Sequence, residues 1–440
     1  MTPETVELAR LQFALTAGAH FVFVALTLGL ATLVACLQLR ATFSRRPVHA
    51  QMVRFWGQLY VINYAMGILT GLVMELQFGL AWSGLTHFAG NVFGSALAME
   101  TLVAFFIEST FLALWIFGWG RLNRWVHLAV IWVVTLTAYA SAYWILVANG
   151  FMQNPVGAEL DGDTLVLTDV AAVLSNDSTI GAFWHILAGA LVTAGILVAG
   201  VSAYHLRRGT PHTELFGRSL RIGVYTALPA LFVVVVSGGI QLSGLDDIQP
   251  MKVAAFSHDT ARIGALELEL AERLGPGEYA PPGLARAAAL VMLMVFVLLF
   301  LLLGLNALLA SSRWLIVRAR AWHLLLMAMV PLPYVAMIAG WVFREMGRQP
   351  WVVYEMLTVS DAVSDIPDSA MRASLVTFTA LFGVLIAVTG WLMVRHARSD
   401  PATVALGSTA PTAFAPADGT GAGRDERPDP SAAVLTFVGR

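Results

Sequence analysis

The chain has 440 residues, of which 58% are hydrophobic and only 12% are charged. Soluble domains need more charged residues on their surfaces, so the composition excludes one and predicts an integral membrane protein. The formal net charge of −2 gives no support for a nucleic-acid partner. The single cysteine, Cys36, excludes intrachain disulfides and iron–sulfur clusters held by cysteines, so any redox cofactor must be held by His, Met or carboxylate side chains.

Nine apolar stretches are long enough to cross a bilayer, which takes about 20 helical residues. They are predicted at Leu11–Leu39, Phe55–Phe78, Gly94–Phe117, Trp125–Ala148, Gly181–Tyr204, Ser219–Leu242, Leu284–Ala310, Trp322–Arg344 and Ala373–Val394. The predicted fold class is therefore all-α, a polytopic membrane protein with nine transmembrane helices. Because Met1–Arg10 contains Glu4 and Glu7, it does not resemble a secretory signal, and the first stretch is expected to stay in the mature protein.

Arginines are concentrated in alternate loops of this predicted topology. One set of loops contains Arg40, Arg45, Arg46, Arg54, Arg121, Arg124, Arg207, Arg208, Arg218, Arg221, Arg313, Arg318 and Arg320, and Arg395 and Arg398 follow the last helix. The opposite connections at 79–93 and 149–180 contain no Lys or Arg. The positive-inside rule then places the N-terminus outside and the C-terminus in the cytoplasm.

The polar segments divide the chain into a membrane domain and a tail. The membrane domain is expected at 1–398, with two long outer segments at Asn149–Ile180 and about 243–283. The segment 399–440 is rich in Ala, Gly, Pro, Thr and Asp, and is predicted to be a disordered cytoplasmic tail.

Ionisable residues inside membrane spans are costly, and they are therefore functional candidates. Counting residues from the helix ends places several of them in one layer near the outer surface, with Glu108 two turns deeper. They are His20, Glu100, His185, Arg286, Glu345 and Arg348. Heme accounts for this set, since imidazole and carboxylate can ligate iron and arginines can pair with its propionates.

Simpler explanations exist for the same residues. His20 and His185 could each bond a backbone carbonyl of a neighbouring helix, and Glu100 and Glu345 could be paired with arginine. For His127, His205, His323 and His396, which lie near the cytoplasmic helix ends, capping or snorkelling is the expected role.

Glu100 and Glu108 are eight residues apart, which on an α-helix puts them on nearly one face and about 12 Å apart. With Ser141 at a similar depth on the next helix, they form a candidate proton relay from the cytoplasm. Spacing alone equally allows two independent polar contacts.

Five stretches of the sequence resemble cytochrome bd quinol oxidase subunit I. They are Arg10–Thr16 with His20 after it, Thr70–Gly79, Glu100 to Thr110, Trp144–Pro155, and Gly340–Trp341 with Gly347–Trp351. The similarity extends from residue 1 to about residue 397 and leaves out the tail.

The resemblance implies two hemes b and one heme d, which oxidise quinol outside and reduce O2 to water. It implies His20 and Glu345 as axial ligands of the two high-spin hemes, and His185 on the low-spin heme b. It places Trp341 between hemes, Glu100 and Glu108 in proton delivery, and the only lysine, Lys252, in the quinol loop at 243–283.

The expected setting and partners also follow from the resemblance. The protein would lie in the bacterial cytoplasmic membrane, in contact with lipid, together with a second membrane subunit and a small single-helix subunit.

The sequence departs from the family at two positions, both where electrons are expected to enter. Ser257 replaces a glutamate five residues after the lysine, for which Asp259, Glu267 or Glu269 could substitute. Ala288 replaces the methionine expected opposite His185, and Met292, one turn deeper, is the nearest substitute, with Met294 further along.

Two other functions use the same residue types. A membrane b-type cytochrome would transfer electrons without reducing oxygen, but it needs pairs of histidines on facing helices, and this chain has two deep histidines. A transporter would use the intramembrane carboxylates without heme. A heme–copper oxidase is disfavoured because the sequence contains no adjacent pair of histidines.

Overall fold

The computed structural model describes residues 2–407. Its helices are α1 (Pro3–Ser44), α2 (Pro47–Ala81), α3 (Ser83–Met99), α4 (Phe106–Phe117), α5 (Arg124–Gln153), α6 (Val170–Leu174), α7 (Asp177–Arg207), α8 (Thr213–Ile248), α9 (Pro250–Ser257), α10 (Thr260–Leu274), α11 (Gly283–Ser311), α12 (Arg313–Arg318), α13 (Arg320–Ala328), α14 (Leu332–Met346), α15 (Val359–Ala362) and α16 (Asp368–Ala397). The strands are β1 (Ala158–Asp161), β2 (Thr164–Leu167), β3 (Trp351–Val353) and β4 (Leu357–Thr358), which pair as two antiparallel hairpins.

Within residues 2–407, nine helical segments are long and apolar enough to cross a membrane, as the sequence predicts. Three of them combine shorter elements: α3 with α4, α6 with α7, and α13 with α14. Hydrocarbon offers no partners to backbone N–H and C=O groups, so long apolar runs fold as helices that satisfy these groups internally.

The third spanning helix begins earlier than the sequence predicts, at Ser83 instead of Gly94. Its first turns contain His87 and Asn91, which lower the mean hydropathy of the segment. Buried apolar residues on one face of these turns, including Leu85 and Ala89, nevertheless pack into a core cluster with β2, β3 and α15. Most of the predicted 79–93 connection is therefore helical.

A π-helical turn, Glu100–Phe105, joins α3 to α4. Such turns insert an extra residue into a helix and are frequent at functional sites. Here the turn begins at Glu100 itself, so it changes the direction in which this side chain leaves the helix relative to Glu108.

The bundle core lies where small residues let helices approach closely. At the crossing of α7 and α8, a Cβ atom added to Gly195 would lie 2.6 Å from the carbonyl oxygen of Gly223. No side chain fits there, which is the packing expected between helices in a membrane. The long helices α1 and α2 pack beside this pair and complete the core.

One face of the bundle, which we call the loop face, carries the segments 154–169 and 249–282. There the stacked rings of Tyr279 and Trp351, with centroids 5.8 Å apart, pack together with Met251 and Leu270. This cluster fixes α9 and α10 against the segment that follows α14, so these two helices form an ordered cap on the loop face.

The residues 399–407, predicted as the start of a disordered tail, are packed against the opposite face. The Leu406 side chain is buried in the main core cluster, and its backbone N–H donates to Gln58 Oε1 at 3.2 Å. Asp400 pairs with His212 at 3.0 Å. The rest of the predicted tail, 408–440, lies outside the described residues.

Candidate functional site

A cavity of about 450 Å³ lies between the spanning helices near the loop face. Its walls include six of the predicted site residues: His20, Glu100, Glu108, Trp341, Glu345 and Arg348. Residues separated by more than 300 positions are therefore brought to one chamber. The predicted residues His185 and Arg286 do not line it, so the single layer expected from the sequence divides into two groups.

His20 is held in a defined tautomer by helix α2. Its Nδ1 lies 2.9 Å from Thr70 Oγ1, and the Thr70 hydroxyl also lies 2.9 Å from the Met66 carbonyl oxygen of its own helix. A hydroxyl has one proton, which the carbonyl accepts, so Thr70 Oγ1 accepts from Nδ1–H of His20. The lone pair of His20 is then on Nε2, the arrangement typical of a metal-binding histidine.

The Glu345 carboxylate accepts hydrogen bonds from three side chains. Asn149 Nδ2 and Gln153 Nε2 donate to Oε1 at 2.9 and 3.2 Å, and Arg348 Nη2 donates to Oε2 at 2.7 Å. The ion pair considered as the simpler role of Glu345 is therefore present. The side chain is still 25% exposed and lines the cavity, so the carboxylate can also ligate a group bound there.

Arg348 and Trp341 complete this end of the cavity. Trp341 meets Phe21 edge to face at 5.1 Å between ring centroids. Within residues 2–407, Nη1 of the buried Arg348 has no hydrogen-bond partner. A buried guanidinium donor of this kind suits an anionic group in the cavity, such as a carboxylate of a bound cofactor.

Glu100 belongs to a cluster of polar side chains. Its Oε1 accepts a hydrogen bond from Ser141 Oγ at 2.7 Å. The two residues therefore lie at a similar depth, as the sequence predicts. The Thr101 hydroxyl lies 3.1 Å from Glu100 Oε2 and 2.8 Å from Glu75 Oε1, so one hydroxyl links two carboxyl groups. Sequence reasoning missed Glu75, although it lies in the quoted stretch Thr70–Gly79 and is ionisable inside a span.

Glu108 lies deeper in the same cavity and is buried. Its Oε1 and the hydroxyl of the buried Tyr60 are without hydrogen-bond partners among the described residues, and the hydroxyl of the buried Tyr64 lies beside Ser109. Both tyrosines lie within electrostatic range of Glu108. Buried polar atoms grouped in this way are the usual lining of a site for internal water.

His185 forms the second group with residues of α8. Its Nδ1 lies 3.2 Å from Ser237 Oγ, which also lies 2.7 Å from the Val233 carbonyl oxygen. If the Ser237 hydroxyl donates its one proton to the Val233 carbonyl, as Thr70 does to a carbonyl of its own helix, it accepts from Nδ1–H of His185, and the lone pair of His185 is on Nε2. A Cβ atom added to Gly238 would lie 3.1 Å from the His185 ring, so the glycine leaves room for the imidazole here.

The methionines of α11 and α14 differ in where they point. Met294 is 63% exposed on the outside of the bundle. The sulfur of Met292 lies 3.0 Å from where a Cβ atom of Gly340 would be, so it reaches α14 inside the bundle. Sequence reasoning missed Met337, whose sulfur lies 3.6 Å from Thr193 Oγ1, two turns along α7 from His185.

The loop residues pack directly on the end of α14. Lys252 is buried, and its Nζ donates to the Arg344 carbonyl oxygen at 2.9 Å. Burial, with Arg344 adding to the effect, holds the pKa of Lys252 well below its usual value, although Glu345 opposes the shift. Gln249, one turn earlier, is also buried, and its Oε1 has no hydrogen-bond partner among residues 2–407.

The other loop residues lie away from this position. Arg286 Nε donates to the Phe256 carbonyl oxygen at 3.2 Å. Ser257 is exposed and donates to the Val253 carbonyl of its own helix at 2.9 Å. Asp259 caps α10 by accepting from Arg262 N at 3.0 Å. Glu345, not Asp259, is the carboxylate whose charge acts on Lys252.

The four histidines predicted to have structural roles all bond backbone carbonyls. The partners are the carbonyls of Trp115, Ala397, Ile316 and Leu392, for His127, His205, His323 and His396 in that order, at 2.7–2.9 Å. His20 meets a hydroxyl instead, whereas His185 meets the Ser237 hydroxyl and also bonds the Val234 backbone carbonyl of α8. Among residues 2–407, no group of three or more His, Cys, Asp or Glu could hold a metal ion by itself.

Sequence comparisons agree over nearly the whole membrane domain. The family profile described as cytochrome bd terminal oxidase subunit I matches residues 8–272 and 271–401. Cytochrome bd ubiquinol oxidase subunit 1 of Bacillus subtilis (strain 168) is 31% identical over 436 residues, covering 89% of this chain and 93% of the relative. Cytochrome bd-II ubiquinol oxidase subunit 1 of Escherichia coli (strain K12) is 30% identical over 518 residues, covering 93% and 99%.

A solved structure shows the same architecture. The bd oxidase from Geobacillus thermodenitrificans superposes with a TM-score of 0.79 at 25% sequence identity, over 90% of this chain and 98% of that chain. A family profile that spans the described helices, relatives at 30% identity and a shared fold lead to one assignment. The chain belongs to the cytochrome bd terminal oxidase subunit I family.

Proposed function

We propose that this chain is the heme-bearing subunit of a respiratory quinol:O2 oxidoreductase, with quinol oxidation at the loop face and oxygen reduction at the cavity. The observation that supports this most directly is that His20, with its Nε2 lone pair free, and the Glu345 carboxylate line one chamber together with Trp341. Family membership favours the oxidase over a heme-free transporter and over a cytochrome that only transfers electrons.

The residues around the cavity fit heme. Its volume of about 450 Å³ lies within the range of cofactor sites, about 300–1,000 Å³. His20 and Glu345 would ligate the high-spin hemes, and the unpaired Nη1 of Arg348 would bind a propionate. When bound, the heme irons would supply one-electron transfer and dioxygen reduction. We propose two hemes b and one heme d.

His185 would hold the low-spin heme b, with Arg286 at the start of α11. Ala288 has no donor atom, so we propose Met292 as the second ligand, because its sulfur lies inside the bundle and that of Met294 does not. Quinol would bind beside Lys252 and Gln249. The unpaired Gln249 Oε1 is an acceptor that suits a quinol hydroxyl.

Protons would reach the cavity from the cytoplasm through Glu108 and then Glu100. The polar atoms grouped around Glu108, followed by Ser141 and Glu100, give a continuous set of proton-binding groups along the chamber. Arginine placement supports the direction, since the loops on the Glu108 side are those rich in arginine. The tryptophan Trp341, also in the chamber wall, would lie between hemes.

The assembly would contain further membrane subunits. Large apolar side chains of α11 and α16 are exposed, including Leu301, Leu308, Val376 and Trp391. These surfaces would face lipid, a second membrane subunit and a small single-helix subunit.

Replacing the proposed high-spin ligand tests the cofactor assignment. We expect His20→Ala to remove the absorbance of one high-spin heme and the oxidase activity, because imidazole Nε2 would be its axial bond to the protein. Reduced-minus-oxidised spectra and oxygen uptake of purified protein measure both. His323→Ala is the control, since His323 is buried but bonded to a carbonyl. Full heme content and oxygen uptake in the His20 variant would contradict the assignment.

The proton relay is tested at its deepest carboxyl group. Glu108→Gln keeps the shape of the side chain but cannot carry a proton, so turnover should fall by about a hundredfold or more while all hemes remain. Stopped-flow oxidation of the reduced protein by O2 measures the step, and Glu214→Gln on the exposed start of α8 is the control. Turnover at the unsubstituted rate would remove Glu108 from the relay.

The low-spin ligand is tested by comparing two methionines. Met292→Ala should convert the six-coordinate low-spin spectrum to a high-spin or altered one, because the only proposed sulfur ligand is lost. Met294→Ala, on the outside of α11, should leave the spectrum unchanged. A low-spin spectrum that survives Met292→Ala would rule this ligand out and leave Met337 as the sulfur to examine.

The quinol site is tested at the only lysine. Lys252→Met retains the buried alkyl chain but not the donor, so KM for quinol should rise by roughly tenfold, since a hydrogen bond from such a group contributes about 1.5–3 kcal/mol. The heme spectrum should not change. Arg273→Met, an exposed loop residue paired with Glu355, is the matched control. Wild-type quinol kinetics in the Lys252 variant would place the quinol elsewhere.

A further inference from the structure

We propose that Gln153 is a positioning residue that couples occupancy of the quinol site to the Glu345 carboxylate. Its side-chain amide lies between Gln249 at the start of α9 and Glu345 at the end of α14. The inference rests on the proposed function, because it assumes that quinol binds beside Lys252 and Gln249 and that Glu345 ligates a high-spin heme.

The contacts form an unbroken chain. Gln249 Nε2 donates to the Gln153 backbone oxygen at 2.7 Å and to its side-chain Oε1 at 3.0 Å. Gln153 Nε2 donates in turn to Glu345 Oε1 at 3.2 Å. Two hydrogen-bonded amides thus span the distance from the loop to the cavity wall.

The direction of the chain is fixed by its last member. An ionised carboxylate can only accept hydrogen bonds, so Gln153 must turn its NH2 group to Glu345 and its oxygen to Gln249. Each amide then donates towards the carboxylate, and hydrogen bonds aligned in this way polarise one another. Any change at Gln249 alters the strength of the bond that Glu345 receives.

The chain is shielded from solvent. Gln153 and Gln249 are 3% and 1% exposed, so water cannot replace a lost partner. In such surroundings an amide that loses its acceptor must find another or move. A quinol hydroxyl that binds Gln249 would therefore change the hydrogen bond that Gln153 donates to Glu345.

A second bridge runs beside the first. Lys252 Nζ donates to the Arg344 carbonyl oxygen at 2.9 Å, and Arg344 Nε donates to Asn149 Oδ1 at 2.8 Å. Asn149 then donates to the same Oε1 of Glu345 at 2.9 Å. Lys252 and Gln249 are three residues apart, so one ligand beside α9 can reach the start of both bridges.

A quinone analogue that cannot be oxidised is the probe for this coupling. Its addition to the reduced, heme-loaded wild-type protein should shift the high-spin heme absorbance. In Gln153→Leu the analogue should still inhibit quinol oxidation, but the high-spin shift should be smaller, because only the bridge through Lys252, Arg344 and Asn149 remains. Gln38→Leu removes another buried amide, at the opposite face of the bundle, and should retain the shift.

A second variant breaks the chain at its other end. Gln249→Met should reduce the same shift to a similar extent, and the Gln153→Leu/Gln249→Met double variant should lose no more than either single variant, because the two amides act in series. Should Gln153→Leu lose its hemes, Gln153→Met, which keeps the unbranched chain, replaces it.

The outcomes separate the coupling from the function on which it rests. A full high-spin shift in Gln153→Leu or Gln153→Met, or additive losses in the double variant, would overturn the coupling and leave the quinol site in place. Absence of any competition between the analogue and quinol in the wild type would overturn the proposed quinol site and the coupling with it.

Discussion

The Glu345 carboxylate is the interaction on which the loop face of the bundle depends. It accepts from Asn149 and Gln153 of α5 and from Arg348 just after α14, and Gln153 extends the contact to α9. A charge so far from bulk water is tolerated only when it is fully hydrogen-bonded, and each buried partner left unpaired costs about 1–3 kcal/mol. The carboxylate therefore sets the relative positions of three helices before any cofactor is considered.

Both candidate histidine ligands are oriented by a hydrogen bond between Nδ1 and a hydroxyl group of the next helix. Thr70 and Ser237 each donate their hydroxyl proton to a carbonyl of their own helix, and each accepts from Nδ1 of a histidine on the preceding helix. Because the helix carbonyl takes the only hydroxyl proton, the tautomer of the imidazole follows from the backbone. The neighbouring helices α2 and α8 thus contribute to the ligand sites without supplying a ligand.

The sequence predicts depth well and partners poorly. Hydropathy places His185 and Glu345 near one end of their helices, and the structure agrees, because a helix of known start converts residue number into depth at about 1.5 Å per residue. For His20 the expectation is wrong, since α1 begins at Pro3 instead of Leu11 and His20 lies near the middle of the helix. Which helix lies opposite is a tertiary property. The division of the site into a cavity group and a His185 group could not be predicted for this reason.

Two further misses have local causes. The early start at Ser83 depends on burial of one face of a moderately polar segment, which a hydropathy average cannot register. The π-helical turn at Glu100 has no compositional signal, so equal spacing along a regular helix was assumed between Glu100 and Glu108. Gln153 was overlooked because an uncharged amide at a helix end is ordinary until its partner is known.

The two departures from the family pattern lie where substitution disturbs the fewest contacts. Ser257 is exposed, and its hydroxyl is satisfied by the Val253 carbonyl of its own helix, so exchange of a glutamate here leaves no buried group unpaired. Ala288 is buried but apolar, so it carries no polar group that needs a partner. The residues around Glu345 share hydrogen bonds, so replacing any one of them leaves a buried polar group of another without its partner. Substitution is therefore expected to disturb the packing less at Ser257 and Ala288 than in the cavity wall.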